Sequence, residues 1–177
     1  INKIGDMGPE LDMKIVFADE TPTRADAATF KMGYSLSDTP CPAWDELCTV
    51  LYGDQERIKF EYAIGSILAG ASLYLQKMYV FFGDPGTGKS TIMDIIELIF
   101  AGHTGSFRAM DLGDANKQFS LEPFSLNPLV GVDQDTDLSK IEINHLLNQI
   151  IAHDKIMINA KGKSLFPIIP RALLFVG

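Results

Sequence analysis

An α/β fold, a parallel sheet with flanking helices, is what this sequence predicts, and three observations predict it. An apolar strand runs directly into a glycine-rich loop and then a helix over Met78–Phe100, MYVFFGDPGTGKSTIMDIIELIF. A second apolar run, Leu129–Val132, ends in an acid, Asp133, and a third, Ala172–Val176, follows Pro170. Short apolar runs separated by helical patterns read as strand–helix–strand units, and so as parallel strands.

The loop carries the most information. Gly83, Gly88, Lys89 and Ser90 complete the pattern G-x-x-x-x-G-K-[ST], with Asp84, Pro85, Gly86 and Thr87 inside it and Thr91 following. Glycines allow positive φ and close approach to phosphate oxygens without a Cβ in the way. Successive N–H groups, with the positive end of the helix that starts near Lys89, form an anion-binding nest. Lys89 is placed to reach the β and γ phosphates, and the Ser90 hydroxyl to ligate Mg²⁺. The reading is a P-loop site for ATP and Mg²⁺ over Gly83–Thr91; the plain alternative is a glycine-rich turn in an α/β core.

A chain of 177 residues makes one domain, or one domain with an appendage. Its 46% hydrophobic and 21% charged residues are globular values. The polar N-terminus lacks the apolar core of a signal peptide, and a start at Ile1 suggests a piece of a longer protein. Ala63–Phe82 is superficially span-like, but Gln76 and Lys77 interrupt it and its second half must feed the loop, so no membrane contact is expected. Cys41 and Cys48 lack a CxxC partner and read as free thiols in a reducing cytoplasm. His103, His145 and His153 show no metal spacing, and no nucleophile motif is present.

Charge is uneven. The net charge is −8, yet Lys155, Lys161, Lys163 and Arg171 face only Asp154 between Asp154 and Gly177. A narrow basic element on an acidic body suits contact with a polyanion at one place, although such cations are also ordinary solvated surface.

In chain order, residues 1–40 are a weakly patterned linker or short extension, with possible strands at Met13–Phe17 and Phe30–Leu36. Prolines 40 and 42 delay any helix until after them. Residues 41–76 form a helical module: Trp44, Leu47, Val50 and Leu51 make one stripe, and a second helix from Gln55 to Leu75 offers Ile58, Tyr62, Ile67, Leu68 and Leu73. Residues 77–177 are the P-loop domain. It holds a helix over Thr91–Phe100 capped near Gly102, a strand at Ser106–Met110 and a helix or turn at Gly113–Phe119. After Asp133, a helix capped by Asp137 or Ser139 presents Ile141, Ile143, Leu146, Leu147, Ile150 and Ile151. A hairpin then folds about Ala160–Lys163.

A P-loop enzyme needs an acid at the end of a neighbouring buried strand to hold Mg²⁺ through water, and a group that polarises the attacking water. Asp133 fits the first role, making Ser90 and Asp133 the metal side and Lys89, Asp133 and Asp135 the catalytic set. Gln134 stands where a second acid is usual, so Asp135, Asp137 or the Gln134 amide is left for the water. Lys161 and Lys163 at the hairpin tip suit phosphates of a nucleic-acid strand, or simply protect the hairpin's edges.

The order of these pieces resembles the superfamily 3 helicases, of the primase-associated type found in phages, plasmids and poxviruses. Four segments carry the likeness: Thr39–Leu47 with the helix through Ile64-Gly65, the loop Gly83–Thr91, the acidic strand Leu129–Asp135, and Asp154–Phe166 with its two lysines. The resemblance implies an AAA+ type fold, a homo-oligomeric ring, in that family a hexamer, and ATP-driven translocation on single-stranded DNA. It also implies an arginine finger from a neighbouring subunit, a fused or associated primase or polymerase, and the host cytoplasm as location for a viral protein. The family's sensor Asn and finger would lie beyond Gly177, so the C-terminal part of the motor is expected to be missing. Alternatives are a packaging or helicase-loading ATPase, a nucleotide-binding ring module without hydrolysis and, more weakly, a small-molecule kinase.

Overall fold

The computed structural model describes residues 32–177 except 36, 115, 116, 118 and 142. The strand expected at Met13–Phe17 lies outside them, and the described part of Phe30–Leu36, residues 32–35, is not strand. Among the described residues a sheet of four strands is built from β1 (Met78–Val80), β2 (Thr104–Ser106), β3 (Val130–Asp133) and β6 (Leu173–Val176), in the order β1-β6-β3-β2. Every neighbouring pair is parallel. All four residues of β3 and all four of β6 are buried. Strands covered on both faces need no polar alternation, which is why both read as unbroken apolar runs.

The two faces carry separate cores. Helices α1 (Pro42–Leu51), α2 (Asp54–Leu68) and α3 (Lys89–Ile99) cover one, where Phe60, Ile67, Ile92 and Ile96 meet Val130, Val132, Leu173 and Phe175. The other face is covered by α4 (Ala109–Leu112), α5 (His145–Ile151) and a hairpin of β4 (Ile156–Ile158) and β5 (Phe166–Ile168), packed on Leu174 and Val176. Alternate residues of β6 thus serve alternate cores.

Helix α1 opens with Pro42 in its first turn, as the missing N–H permits. Trp44, Leu47 and Leu51 pack inward and Cys48 is buried, but Val50 is 76% exposed because the inward stripe runs 44–47–48–51. Helix α2 ends at Leu68, not at Leu75. Gly70 takes φ +68, the Ala71 N–H bonds the Ser66 carbonyl at 2.7 Å, and the Gly70 N–H bonds that of Ile67 at 3.0 Å. This paired closure by a left-handed residue terminates the helix. Its core side is Phe60, Ala63 and Ile67, whereas Ile58 is 64% exposed. A polar clasp joins the two helices: Trp44 Nε1 donates to Glu61 at 2.8 Å, and Arg57 donates to Glu61 at 2.7 Å and to Asp45 at 2.5 Å. The Trp44 N–H, and Arg57 with it, hold Glu61 below the usual carboxylate range.

Other boundaries shift for identifiable reasons. The β2 ladder closes with the Phe107 N–H on the Val132 carbonyl, and the chain then turns into α4 where strand through Met110 was expected, because the Ala109 N–H is bonded by the Asp133 carboxylate at 2.6 Å. Asp137 caps a single helical turn, Leu138–Lys140, through Ser139, while α5 begins only at His145 and leaves Ile143 55% exposed. The segment Gly113–Phe119 is described only in part. The hairpin forms as expected: β4 and β5 are antiparallel with Met157 opposite Pro167. The Lys163 N–H bonds the Ala160 carbonyl at 3.0 Å, and Gly162 has the φ of +75 that a type II turn needs at its third residue.

Phe60 is 4% exposed and stands between Trp44, Phe81 and Phe175, with ring centroids at 5.6, 5.7 and 6.4 Å. Phe60→Ala is expected to cost about 3–5 kcal/mol in urea unfolding. A loss under about 1 kcal/mol, a surface-like value, would show that the helical pair is not part of the sheet's core.

Candidate functional site

Because the strands run parallel, their C-terminal ends share one edge, where loops converge and ligands of open α/β sheets bind. The β1 chain leaves through Phe81 and Phe82 into residues 83–88 and re-enters helix at Lys89. Gly86 has φ +81, and Gly88, the residue capping α3, has φ +82. Both conformations favour glycine. Gly83 is not in that region; there the limit is space, since a Cβ would sit 3.0 Å from Thr87 Oγ1, which would have to shift. Thr87 Oγ1 donates to the Asp84 carbonyl at 2.8 Å and braces the turn. Lys89 Nζ folds back over the loop and donates to the carbonyls of Gly83 at 2.6 Å and Asp84 at 3.1 Å. Asp84, Pro85, Ser90 and Thr91 are exposed.

The loop forms one wall of a cleft of about 830 Å³, with Phe82 beside it and Gln134, Asp135 and Asp137 opposite. That volume falls within the ~300–1,000 Å³ of small-molecule sites. The α3 N-terminus opens into it, supplying unpaired N–H groups and the positive end of the helix dipole.

Asp133, expected on the metal side, does not face this cleft. It is 5% exposed and lines a separate hollow of about 490 Å³ with Glu97 and Arg108. One carboxylate oxygen accepts from the Ala109 N–H at 2.6 Å and from the Thr136 hydroxyl; the other accepts from the Asp135 N–H at 3.4 Å. Strand alternation accounts for this. Val130 and Val132 belong to the α3-side core, whereas a Cβ on Gly131 would strike Leu174 and Phe107 of the other side. Asp133 therefore points with Gly131, away from α3. Nor is β3 adjacent to β1, since β6 lies between them. Asp135 is exposed and borders both hollows, and Gln134 Nε2 donates to Asp94 of α3 at 3.1 Å.

The structure thus brings Gly83–Thr91 together with Gln134, Asp135 and Asp137, and leaves Asp133 beneath them as the anchor of their backbone. Lys161 and Lys163 are exposed at the hairpin tip and do not line the cleft. Thr136 and Asp94 were not expected to participate; counting faces from Val132 would have flagged Asp133, but no local pattern marks its partners. Among the described residues no cluster of three His, Cys, Asp or Glu side chains could hold a metal ion. Mg²⁺ bound through phosphates with one or two protein oxygens needs no such cluster. Cys41 is an exposed and Cys48 a buried free thiol, and no described helix is long and apolar enough to cross a membrane.

Comparison with known proteins adds a family and a fold. A family model described as "Family of unknown function (DUF5906)" matches residues 81–177. No curated protein matches the chain. The A form apo structure of the NrS-1 C terminal region superimposes with a TM-score of 0.61 at 18% identity, covering 80% of this chain and 33% of that one. The apo structure of the NrS-1 C terminal region (305-718) gives 0.60 at 18%, covering 80% and 34%. These likenesses show a shared fold, and this chain spans about a third of the length of those chains.

Two substitutions separate the anchor from the cleft wall. Asp133→Asn turns an acceptor of three bonds into a mixed group facing donors, and is expected to cost about 1–3 kcal/mol of stability. Asp135→Asn, on the surface, is expected to stay within about 0.5 kcal/mol of the parent. Chemical denaturation of both decides it: equal stabilities would contradict the anchoring role of Asp133.

Proposed function

The chain belongs to the family of unknown function DUF5906, and we propose that it is part of the ATPase core of a ring-forming DNA helicase of the superfamily 3, AAA+ type. The observation that carries the reading is the loop itself: two left-handed glycines and Lys89 at the N-terminus of an eleven-residue helix, opening into a cleft of sufficient size. The resemblance of the surrounding segments to that helicase type supports the remainder.

In this reading the triphosphate of ATP lies along the loop and accepts hydrogen bonds from its N–H groups and from the first turn of α3. Lys89 Nζ exchanges two neutral carbonyls, those of Gly83 and Asp84, for anionic phosphate oxygens, a charge-assisted and stronger bond. The Ser90 hydroxyl would hold Mg²⁺ together with phosphate oxygens, and the ion would neutralise charge developing on the transferred group. Asp135, exposed on the facing wall, is the acid placed to orient the attacking water and take its proton. Asp133 acts through it, fixing the Asp135 backbone. A neighbouring copy in a hexameric ring would supply the arginine finger. Lys161 and Lys163 would pair with phosphates of single-stranded DNA without reading bases, while the acidic remainder of a chain of net charge −8 keeps other surfaces off the polyanion. A fused or associated primase or polymerase completes the proposal.

A second reading has one observation in its favour. Gln134 replaces the usual second acid, and its amide is engaged with Asp94, as suits a module in which ATP cements a ring without being hydrolysed.

ATP hydrolysis by the full-length protein, with and without single-stranded DNA, tests both. The helicase reading predicts DNA-stimulated turnover, a loss of about a hundredfold in Lys89→Ala, comparable to removing one preorganised donor, and weaker stimulation in the Lys161→Ala/Lys163→Ala double variant. Salt dependence of DNA binding should fall by about one unit of slope per lysine removed. ATP binding without turnover favours the second reading. Hydrolysis indifferent to DNA rules out a DNA motor, and absence of ATP binding overturns both readings.

A further inference from the structure

The loop is gripped at both ends by one pair of helices. At its entrance Phe81, two residues before Gly83, packs edge-on against Phe60 of α2, with centroids 5.7 Å apart and planes at 71°. At its exit, Leu51, the last residue of α1, occupies the space a side chain at position 88 would need. A Cβ on Gly88 would lie 2.8 Å from both Leu51 Cδ1 and Cδ2. The two helices act as a unit, because Trp44 of α1 donates to Glu61 of α2 and Arg57 of α2 donates to Asp45 of α1 across their interface. The stretch between the grips, Asp84–Thr87, is exposed.

We infer that the α1–α2 pair is a clamp on the phosphate loop, that Leu51 is the positioning residue at its jaw, and that ATP occupancy and the seating of α1 are coupled. The clamp rests on the reading that the loop receives the phosphates of a nucleoside triphosphate. Gly88 is under two separable constraints, its φ of +82 and the contact with Leu51. The first is a property of the backbone alone, while the second exists only while α1 is seated. If the seating of α1 raises ATP affinity by some factor, ATP raises the seating of α1 by that same factor, since coupling of two equilibria is reciprocal. Anything pulling on the chain before α1 then acts on nucleotide affinity.

The experiment combines ATP calorimetry and amide hydrogen exchange on the full-length protein. In the unmodified protein ATP should slow exchange in α1, over Pro42–Leu51, as well as in the loop; ATP that binds yet leaves α1 unchanged would overturn the coupling. Leu51→Ala is expected to weaken ATP binding about tenfold, in the usual range of such couplings, to speed exchange at Gly83–Ser90 without nucleotide, and to abolish the ATP effect on α1. Leu51→Val, a smaller truncation, should fall between, and serves if the alanine variant does not fold. Val50→Ala, at a neighbouring but 76% exposed position, should change nothing. Gly88→Ala should harm binding less in the Leu51→Ala background than alone, because the clash is gone and only the φ strain is left. Parental affinity and loop exchange in both Leu51 variants would overturn the clamp and leave the ATP reading standing. If the unmodified protein binds no ATP, the functional reading fails, and loop exchange in the Leu51 variants still decides the clamp.

Discussion

Strand β6 pairs in parallel with β1 on one side and β3 on the other, and the rest of the molecule is arranged by that double pairing. It joins two segments far apart in the chain, 78–80 and 130–133, and holds their C-terminal ends at one edge. Without it the loop after β1 and the acidic segment after β3 would have no common register and no cleft between them. The pairing extends past the strands: the Gly177 N–H bonds the Asp133 carbonyl at 2.9 Å, and the Thr136 N–H bonds the Gly177 carbonyl at 3.1 Å. The far wall of the cleft thus continues the backbone pairing of the sheet past the strand ends.

On that frame, each acid's surroundings decide what it can do. Asp133 is buried and supplied with three donors, so its charge is used in holding α4 and the acidic segment in place. Asp135 is two residues on, exposed, and borders the cleft. Lys89 has two carbonyl acceptors, which keep the cation at the loop while leaving it a stronger bond to gain from phosphate. The same logic ties the helical pair to the site: Phe60 of the core and Leu51 packed against it stand at the two ends of the glycine-rich loop.

How much of this is legible in the sequence depends on how local its cause is. The loop, β3, β6 and the hairpin tip are written in adjacent residues, as glycines at fixed spacing, unbroken apolar runs and Ala160–Lys163, and they stand where expected. The end of α2 was misplaced because Ala69, Ala71 and Leu73 continue a helical composition past Gly70, whose left-handed φ closes the helix. The strand expected through Met110 failed because a carboxylate 24 residues later captures the Ala109 N–H, and no local propensity encodes that. Asp133 fits the motif by type and position, yet faces the wrong side of its strand. The side was readable only by counting alternation from Val132 with the strand order known. Leu51 on Gly88 is the same kind of fact, a close approach between positions 37 apart.

The account stands on the loop as a seat for phosphate, and the most direct measurement is a crystal structure of the full-length protein with a non-hydrolysable ATP analogue and Mg²⁺. The predicted result has the analogue's phosphates about 3 Å from the loop and α3 N–H groups, Lys89 Nζ withdrawn from the carbonyls of Gly83 and Asp84 onto phosphate, and Asp133 still bonded to Ala109. An analogue bound elsewhere, with Lys89 still on those carbonyls, would contradict it.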